Sequence, residues 1–187
     1  ELYMPLLGDH QLENAASAVA ALEALSSQGI AVNAKAMEGG FEQVSWPCRM
    51  EVLSRSPLLV ADGAHNVYSV ESLLKSLPKY LDFEKLILVT GFSRDKNVEG
   101  MAQALREKAD LVFATASRHP RSLAPDEVAR LFDGPVTTAA TAAEALRLAL
   151  DSAGPRDLVL AVGPLFLTAE GRESALGIEP EIYSELN

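Results

Sequence analysis

The apolar run Leu58-Leu59-Val60-Ala61 breaks into Asp62-Gly63-Ala64-His65-Asn66, and a helical pattern begins at once with Val67. A carboxylate at such a place suits a ribose diol, an imidazole could donate to a phosphate oxygen, and the start of the following helix favours an anion. Gly63 permits a tight turn and a close approach of ligand to backbone. Arg49, just upstream, could reach phosphate with its bidentate fork. The plainer reading keeps Asp62 and Asn66 as helix caps and His65 as a satisfied turn residue. A metal site built on Asp62 and His65 lacks further ligands grouped nearby.

Two more clusters lie past strand-like runs. In "LVTGFSRDKN", residues 88–97, Gly91 is followed by Arg94, Asp95 and Lys96. The cations could hold a carboxylate substrate, while Asp95 could orient an amine or pair with Lys96; the alternative is a solvated charged loop. In "TASRHPRS", residues 115–122, Arg118, His119 and Arg121 form a small basic rim on an acidic protein. Several signatures are missing. The sequence has no G-x-x-x-x-G-K-[ST] phosphate loop, no G-x-G-x-x-G after a strand and no G-x-S-x-G elbow. A nucleotide could touch this chain, but its main phosphate cradle is not written here.

Composition narrows the classes further. The 187 residues carry a formal charge of -10, which argues against nucleic acid or an anionic membrane as the main partner. Cys48 is the only cysteine, so the chain holds neither an internal disulfide nor a cysteine-based metal site. No apolar stretch approaches the roughly 18 residues of a membrane span, and no signal peptide is visible, so the chain reads as cytoplasmic.

The elements that must position these residues are legible. A helix is expected from Gly8-Asp9, with Asp9 as the capping carboxylate, through Leu12, Ala15, Ala16, Val19, Leu22 and Leu25. A second amphipathic segment spans residues 33–41, and "VSWPCRM" then turns abruptly. From Met50 onward strands alternate with helices. Strands are expected at 51–53, 58–61, 86–90, 111–115, 136–138 and 158–162. Helices are expected at 67–77, 98–108, 125–132 and 141–150, and a last one after Gly163-Pro164. Thr141 and Glu144 read as a capping box. Continuous apolar strands alternating with helices predict an α/β fold, a doubly wound, mostly parallel sheet covered on both faces. Residues 46–187 read as that domain and 1–45 as a helical piece, with a hinge near residues 44–49. The chain opens at Glu1 and runs quickly into a strong helix with little in front to pack against, so sequence upstream is expected.

Taken together, "GDHQLENAASAVAAL", "WPCRMEVL", "VADGAHN", "GFSRDKN" and "VGPLFLTAE" occur in an order that resembles folylpolyglutamate synthase/dihydrofolate synthase, within the Mur ligase superfamily. The resemblance spans nearly the whole chain. It implies a Rossmann-like Mur ligase C-terminal domain at 46–187, preceded at 1–45 by the helical end of the central ATPase domain. It also implies a chemistry: ATP phosphorylates a folate or dihydropteroate carboxylate, and the amine of L-glutamate then attacks the acyl phosphate. Gln11 and Asn14 match positions that contact adenine, Arg49 the arginine that reaches the phosphates, Asp62 the aspartate on the ribose, and His65 the histidine near the phosphates. Asp95 and Lys96 match a segment near the glutamate site. The sequence departs from the family pattern at Cys48, where glycine is usual, at Val67, where proline is common, and at Asn97, the last aspartate of that segment. The phosphate loop, the Mg2+ ligands and a modified lysine are expected upstream, in an N-terminal ATPase domain of the same polypeptide. The chain alone is therefore expected to be inactive, and the enzyme a monomer. The alternatives are a Mur-type ligase acting on a peptidoglycan precursor, which DGAHN disfavours, and a non-catalytic nucleotide-sensing or protein-interaction module.

Overall fold

The computed structural model describes residues 2–180. Six strands form one sheet: β1 (Glu51–Arg55), β2 (Leu58–Asp62), β3 (Leu86–Thr90), β4 (Leu111–Ala114), β5 (Val136–Thr138) and β6 (Leu158–Val162), in the order β1-β2-β6-β3-β4-β5. All neighbours are parallel except β1, which pairs antiparallel with β2 as a hairpin edge. Strands β3 and β6 are buried along their whole length, as their unbroken apolar sequences require of a sheet covered on both faces. Successive residues alternate between two cores. Val60, Leu88 and Leu160 face one, with residues of α3 (Val67–Tyr80), α4 (Val98–Arg106) and α5 (Pro125–Ala129). Leu59, Ile87 and Val159 face the other, packed by α6 (Ala142–Ser152). The last helix, α7 (Leu165–Leu176), lies beside α6 and against β1, β2 and β6.

The order of the strands creates a crevice. β6 returns across the sheet and inserts between β2 and β3. The helices that leave β2 and β6 therefore diverge to opposite faces from neighbouring strands. In open α/β sheets such a switch point is where ligands bind, beyond the carboxyl ends of the strands. Asp62-Gly63 and Gly163-Pro164 sit there side by side, with the Gly163 N–H donating to the Asp62 carbonyl at 3.4 Å.

The expected elements are present, with local differences. The helix α1 (Asp9–Ser27) is capped by the Gly8 backbone at φ 111°, with no side-chain cap bond. The Asp9 carboxylate reaches instead to the end of α3, where it meets the Lys79 ammonium and accepts from the Tyr80 hydroxyl at 2.9 Å. Those bonds, Lys79 first, hold the Asp9 carboxyl below its ordinary value. The helix α2 (Ala34–Glu42) is capped by Asn33, whose Oδ1 accepts from Ala36 N at 2.9 Å. At α6 the Thr141 hydroxyl accepts from Glu144 N, but the Glu144 carboxylate bonds Ala140 N rather than closing the box on Thr141. α5 ends at Ala129, because Leu131 and Phe132 donate to carbonyls three residues back and tighten the last turn.

Two glycines bring the ends of β3 and β6 into contact. A Cβ on Gly91 would stand 2.4 Å from the Thr115 carbonyl oxygen and 2.6 Å from Leu167 Cδ1. One on Gly163, at φ 151°, would stand 2.6 Å from the Gly91 carbonyl oxygen. We expect Gly91→Ala to force backbone apart and destabilise the domain by about 1–3 kcal/mol, as an overpacked core does. Urea denaturation checks this; an unchanged midpoint would show that the strand ends can separate freely.

Candidate functional site

The site is built around one carboxylate. Asp62 ends β2 and is 5% exposed, yet both of its oxygens are engaged: Oδ2 accepts from Met50 N and Oδ1 from Ala64 N, each at 2.8 Å. Burial pushes its carboxyl above the ordinary value, opposed by those two N–H bonds and then by the charges of Arg49 and His10. Each oxygen keeps a second lone pair beyond the bond it already accepts. The cap of α3 is Asn66, not Asp62. Asn66 Oδ1 accepts from Ser69 N at 2.9 Å, and the Ser69 hydroxyl accepts from Asn66 N and His65 N. Gly63 needs no left-handed backbone. Its N–H donates to the Cys48 carbonyl at 2.8 Å, and an added Cβ would meet only ordinary contacts.

His65 is oriented by the same turn. Its Nδ1 lies 2.8 Å from the Gly63 carbonyl oxygen, which can only accept, so Nδ1 carries the proton. The neutral ring therefore presents a lone pair at Nε2. It would donate there to a phosphate oxygen only as the imidazolium, which refines the expectation of a simple donor.

Arg49 stands on a turn of unusual backbone. Cys48 and Met50, on either side of it, adopt φ 58° and 45°, a left-handed region that side chains disfavour. Cys48 and Met50 are buried, each 2% exposed, so the turn points Arg49 outward while its neighbours anchor inward. Burial also pushes the Cys48 thiol up, marking a packed thiol rather than a nucleophile. The Arg49 side chain makes no hydrogen bond or ion pair with another described residue.

Gln11, Asn14 and Arg49 line one open groove of about 610 Å³ between α1 and α2, with Ala15, Leu22, Phe41 and Trp46 as apolar walls. Asn14 Nδ2 donates to Gln11 Oε1 at 3.2 Å, so the two amides act as a pair on one helix face. The helical stripe expected from the sequence is left largely open here: Leu12 is 63% exposed, and Gln11 is the only residue of α1 that is buried.

Asp95 and Lys96 belong to a second assembly, and neither lines that groove. Lys96 Nζ lies 3.6 Å from Asp95 Oδ2, and Arg121 Nη1 lies 3.5 Å from the same oxygen. The loop after β3 and the loop after β4 are joined by a bridge between Ser93 and Ser122 and by Arg94 N donating to the Arg121 carbonyl at 3.0 Å. Two clusters that look separate in sequence are thus one surface. The rest of the basic rim is tied down: Arg118 pairs with Glu170 and Glu173 of α7, and His119 packs on Phe166 with centroids 4.4 Å apart. Among the described residues no three His, Cys, Asp or Glu side chains come together as metal ligands.

Sequence reasoning missed Glu51 and Arg172. Glu51 Oε2 accepts from Cys48 N at 2.9 Å, and Arg172 Nε–H is shared between both Glu51 oxygens at 3.0 and 2.9 Å. The only available signal was a carboxylate three residues after Cys48, and Arg172 lies 121 residues from Glu51.

Residues 48–165 match the family model described as Mur ligase, glutamate ligase domain. The chain is 35% identical over 173 residues to a probable bifunctional folylpolyglutamate synthase/dihydropteroate synthase of Halobacterium salinarum, covering 90% of this chain and 20% of that protein. It is 28% identical over 174 residues to the dihydrofolate synthase/folylpolyglutamate synthase of Bacillus subtilis, covering 90% and 40%. Among solved structures, Mycobacterium tuberculosis folylpolyglutamate synthase complexed with ADP and AMPPCP superposes with a TM-score of 0.84 at 30% identity, over 96% of this chain and 43% of that one. E. coli FolC in complex with DHPP and ADP gives 0.82 at 26%, over 94% and 41%. The chain therefore spans less than half the length of each of these relatives.

Asp62→Asn should destabilise the chain by about 1–3 kcal/mol, because an amide offers one oxygen to two N–H groups and turns a donor toward the other. Thermal denaturation measures it; an unchanged melting temperature would mean that Met50 N or Ala64 N finds another acceptor.

Proposed function

The chain belongs to the Mur ligase family through its glutamate ligase domain, and from that premise we propose that it is the C-terminal part of an ATP-dependent ligase that joins L-glutamate to a folate or dihydropteroate carboxylate. In that reaction the carboxylate takes the γ-phosphoryl group and ADP departs. The glutamate amine then attacks the acyl carbon, the C–N bond forms, phosphate leaves, and the amine gives up its proton. The names of the relatives support the folate branch over a peptidoglycan branch.

The observation that carries the reading is the convergence at the end of β2. Arg49, unpartnered and thrust outward, stands beside the Asp62–His65 turn and on the rim of the groove that holds Gln11 and Asn14. In our reading Gln11 and Asn14 meet the adenine edge, the remaining lone pairs of Asp62 accept from the ribose hydroxyls, and Arg49 neutralises the phosphates. His65 stands at the phosphates, donating as the imidazolium or taking the proton of the incoming amine at Nε2. Asp95 and Lys96 bind the ammonium and a carboxylate of glutamate, with Arg121 sharing their surface. The described residues offer no metal-ligand set, so Mg2+, with which ATP would arrive, is assigned to residues outside this chain and no step here runs through it.

Residues 1–45 are read as the end of a central ATPase domain whose remainder precedes this chain, and 46–187 as the domain that closes over it. An acyl phosphate must be kept from water, and a hinged domain that completes the site only when substrates are bound does that. No helix among the described residues is long and apolar enough to cross a membrane; we place the enzyme in the cytoplasm, as a monomer.

The test uses the full-length polypeptide and ADP release. Release should require both a pteroate or folate carboxylate and L-glutamate; release independent of glutamate would overturn the assignment. Arg49→Ala should cost roughly 2–4 kcal/mol in kcat/KM for ATP, comparable to losing one preorganised charged donor. Its melting temperature should barely move, since the side chain has no partner to lose; a large fall would make Arg49 a structural residue instead.

A further inference from the structure

Arg49 carries a long side chain with no hydrogen bond or ion pair of its own to fix it, so what preorganises it acts chiefly through the backbone on which it stands. That backbone is unfavourable. Two departures into the left-handed region, at Cys48 and Met50 on either side of Arg49, persist only where the surroundings hold them. Four bonds do the holding. Met50 N is bound by the Asp62 carboxylate, and the Cys48 carbonyl accepts from Gly63 N. Cys48 N is bound by Glu51 Oε2 at 2.9 Å, and Glu51 is gripped through both oxygens by Arg172 of α7.

The Glu51–Arg172 pair is poorly placed to be a stability device. Its side chains are only 24% and 27% exposed, and the desolvation of a pair so withdrawn from water largely cancels its attraction, even though removing one partner is costly. Its position instead gives it leverage on one N–H, that of the residue before Arg49. Arg172 is the one cation of α7, and the nearby Arg118 is engaged instead with Glu170 and Glu173 of that helix.

We propose that Glu51 and Arg172 are positioning residues for Arg49: the pair clamps the left-handed turn from α7 and so sets the fraction of molecules in which the guanidinium is aimed at the nucleotide phosphates. The proposal rests on Arg49 as the phosphate contact. Apparent affinity falls in proportion to the competent fraction, so a clamp that raises this fraction acts on ATP without touching it. The clamp also accounts for a cysteine where glycine would hold the same backbone without help: with its N–H and its carbonyl both bound and its side chain buried, Cys48 is kept left-handed by its neighbours.

A double-mutant cycle in the full-length polypeptide tests this. Glu51→Ala should lower kcat/KM for ATP about tenfold, corresponding to about 1.4 kcal/mol, and weaken equilibrium ADP binding in step. In an Arg49→Ala background the same change should cost nothing further, because Glu51 acts only through Arg49. An equal loss in both backgrounds would overturn the proposal. Hydrogen exchange gives a readout without turnover: Glu51→Ala should speed exchange of the Cys48 amide while leaving that of Val60 in β2 unchanged, and unaltered exchange at Cys48 would count against the clamp. The reversed pair, Glu51→Arg with Arg172→Glu, should recover melting temperature but not kcat/KM, since arginine at 51 offers Cys48 N no acceptor; full recovery of activity would reduce the pair to a simple ion pair. If Glu51→Ala fails to fold, Glu51→Gln, which keeps an acceptor but loses the charge that holds Arg172, should show a smaller loss that likewise vanishes without Arg49. If Arg49→Ala itself leaves kcat/KM and ADP binding unchanged, the phosphate role of Arg49 falls and the clamp falls with it. A normal Glu51→Ala beside an impaired Arg49→Ala would sink the clamp alone.

Discussion

A carboxylate buried at the end of a parallel strand holds together the two turns of the candidate site. Asp62 could not stay at 5% exposure as an isolated ion; taking a carboxylate out of water costs several kcal/mol unless hydrogen bonds replace the lost hydration. Its oxygens find those bonds at Met50 N, twelve residues upstream, and Ala64 N, two residues downstream. The need of the ion for donors therefore fixes where the turn carrying Arg49 must lie relative to the turn carrying His65. Burial nonetheless leaves the carboxyl easier to protonate than an ordinary one, so the arrangement sacrifices some stability for placement. Such a cost is common at sites where geometry matters more than stability.

The sheet decides where that junction sits. Because β6 inserts between β2 and β3, helices leave neighbouring strands toward opposite faces, and a crevice opens at their carboxyl ends. Gly91 and Gly163 let the strand ends touch, and with the Leu167 side chain packed against both they form the floor of the crevice. α7 begins at that floor and runs back across β2 and β1, so one helix both closes the crevice and reaches the far turn through Arg172. Rigid elements thus supply the positions, and loops supply the groups.

Much of this was legible in sequence because it is local. Unbroken apolar runs such as Leu86–Thr90 and Leu158–Val162 name buried parallel strands, and their alternation with helices names the fold class. The DGAHN turn stood out because polar groups are dense exactly where a parallel strand should end. What stayed hidden depends on partners far along the chain. Asp9 has the sequence context of a helix cap, yet a lysine and a tyrosine seventy residues away compete for it and win. Asp62 has the look of an open ligand group, but its bond to Met50 N arises only when the β1–β2 hairpin folds back. The strand order β2-β6-β3 could not be read at all, since a helical crossover carries no mark of how far it travels. Nor could the union of the loops at Ser93 and Ser122, which depends on β3 and β4 being neighbours.

The two halves of the chain meet these demands differently, and the difference bears on how the proposed ligase would work. The turns at the end of β2 are held from several sides and are finished before any ligand arrives. The groove between α1 and α2 is open, with Trp46 on its wall more than half exposed and little of either helix packed on the sheet. A nucleotide lying between Gln11 and Arg49 would touch both a rigid edge and a loosely supported one. Its binding energy would then go partly into fixing their relation, which is the means by which a substrate can drive closure of one domain on another. Besides the packing of Leu7 on the core, the two parts are linked by the Asp9 contact with Lys79 and Tyr80, solvent-exposed and hence cheap to break. A strong anchor there would hold the groove at one angle. A weak one lets the ligand choose it.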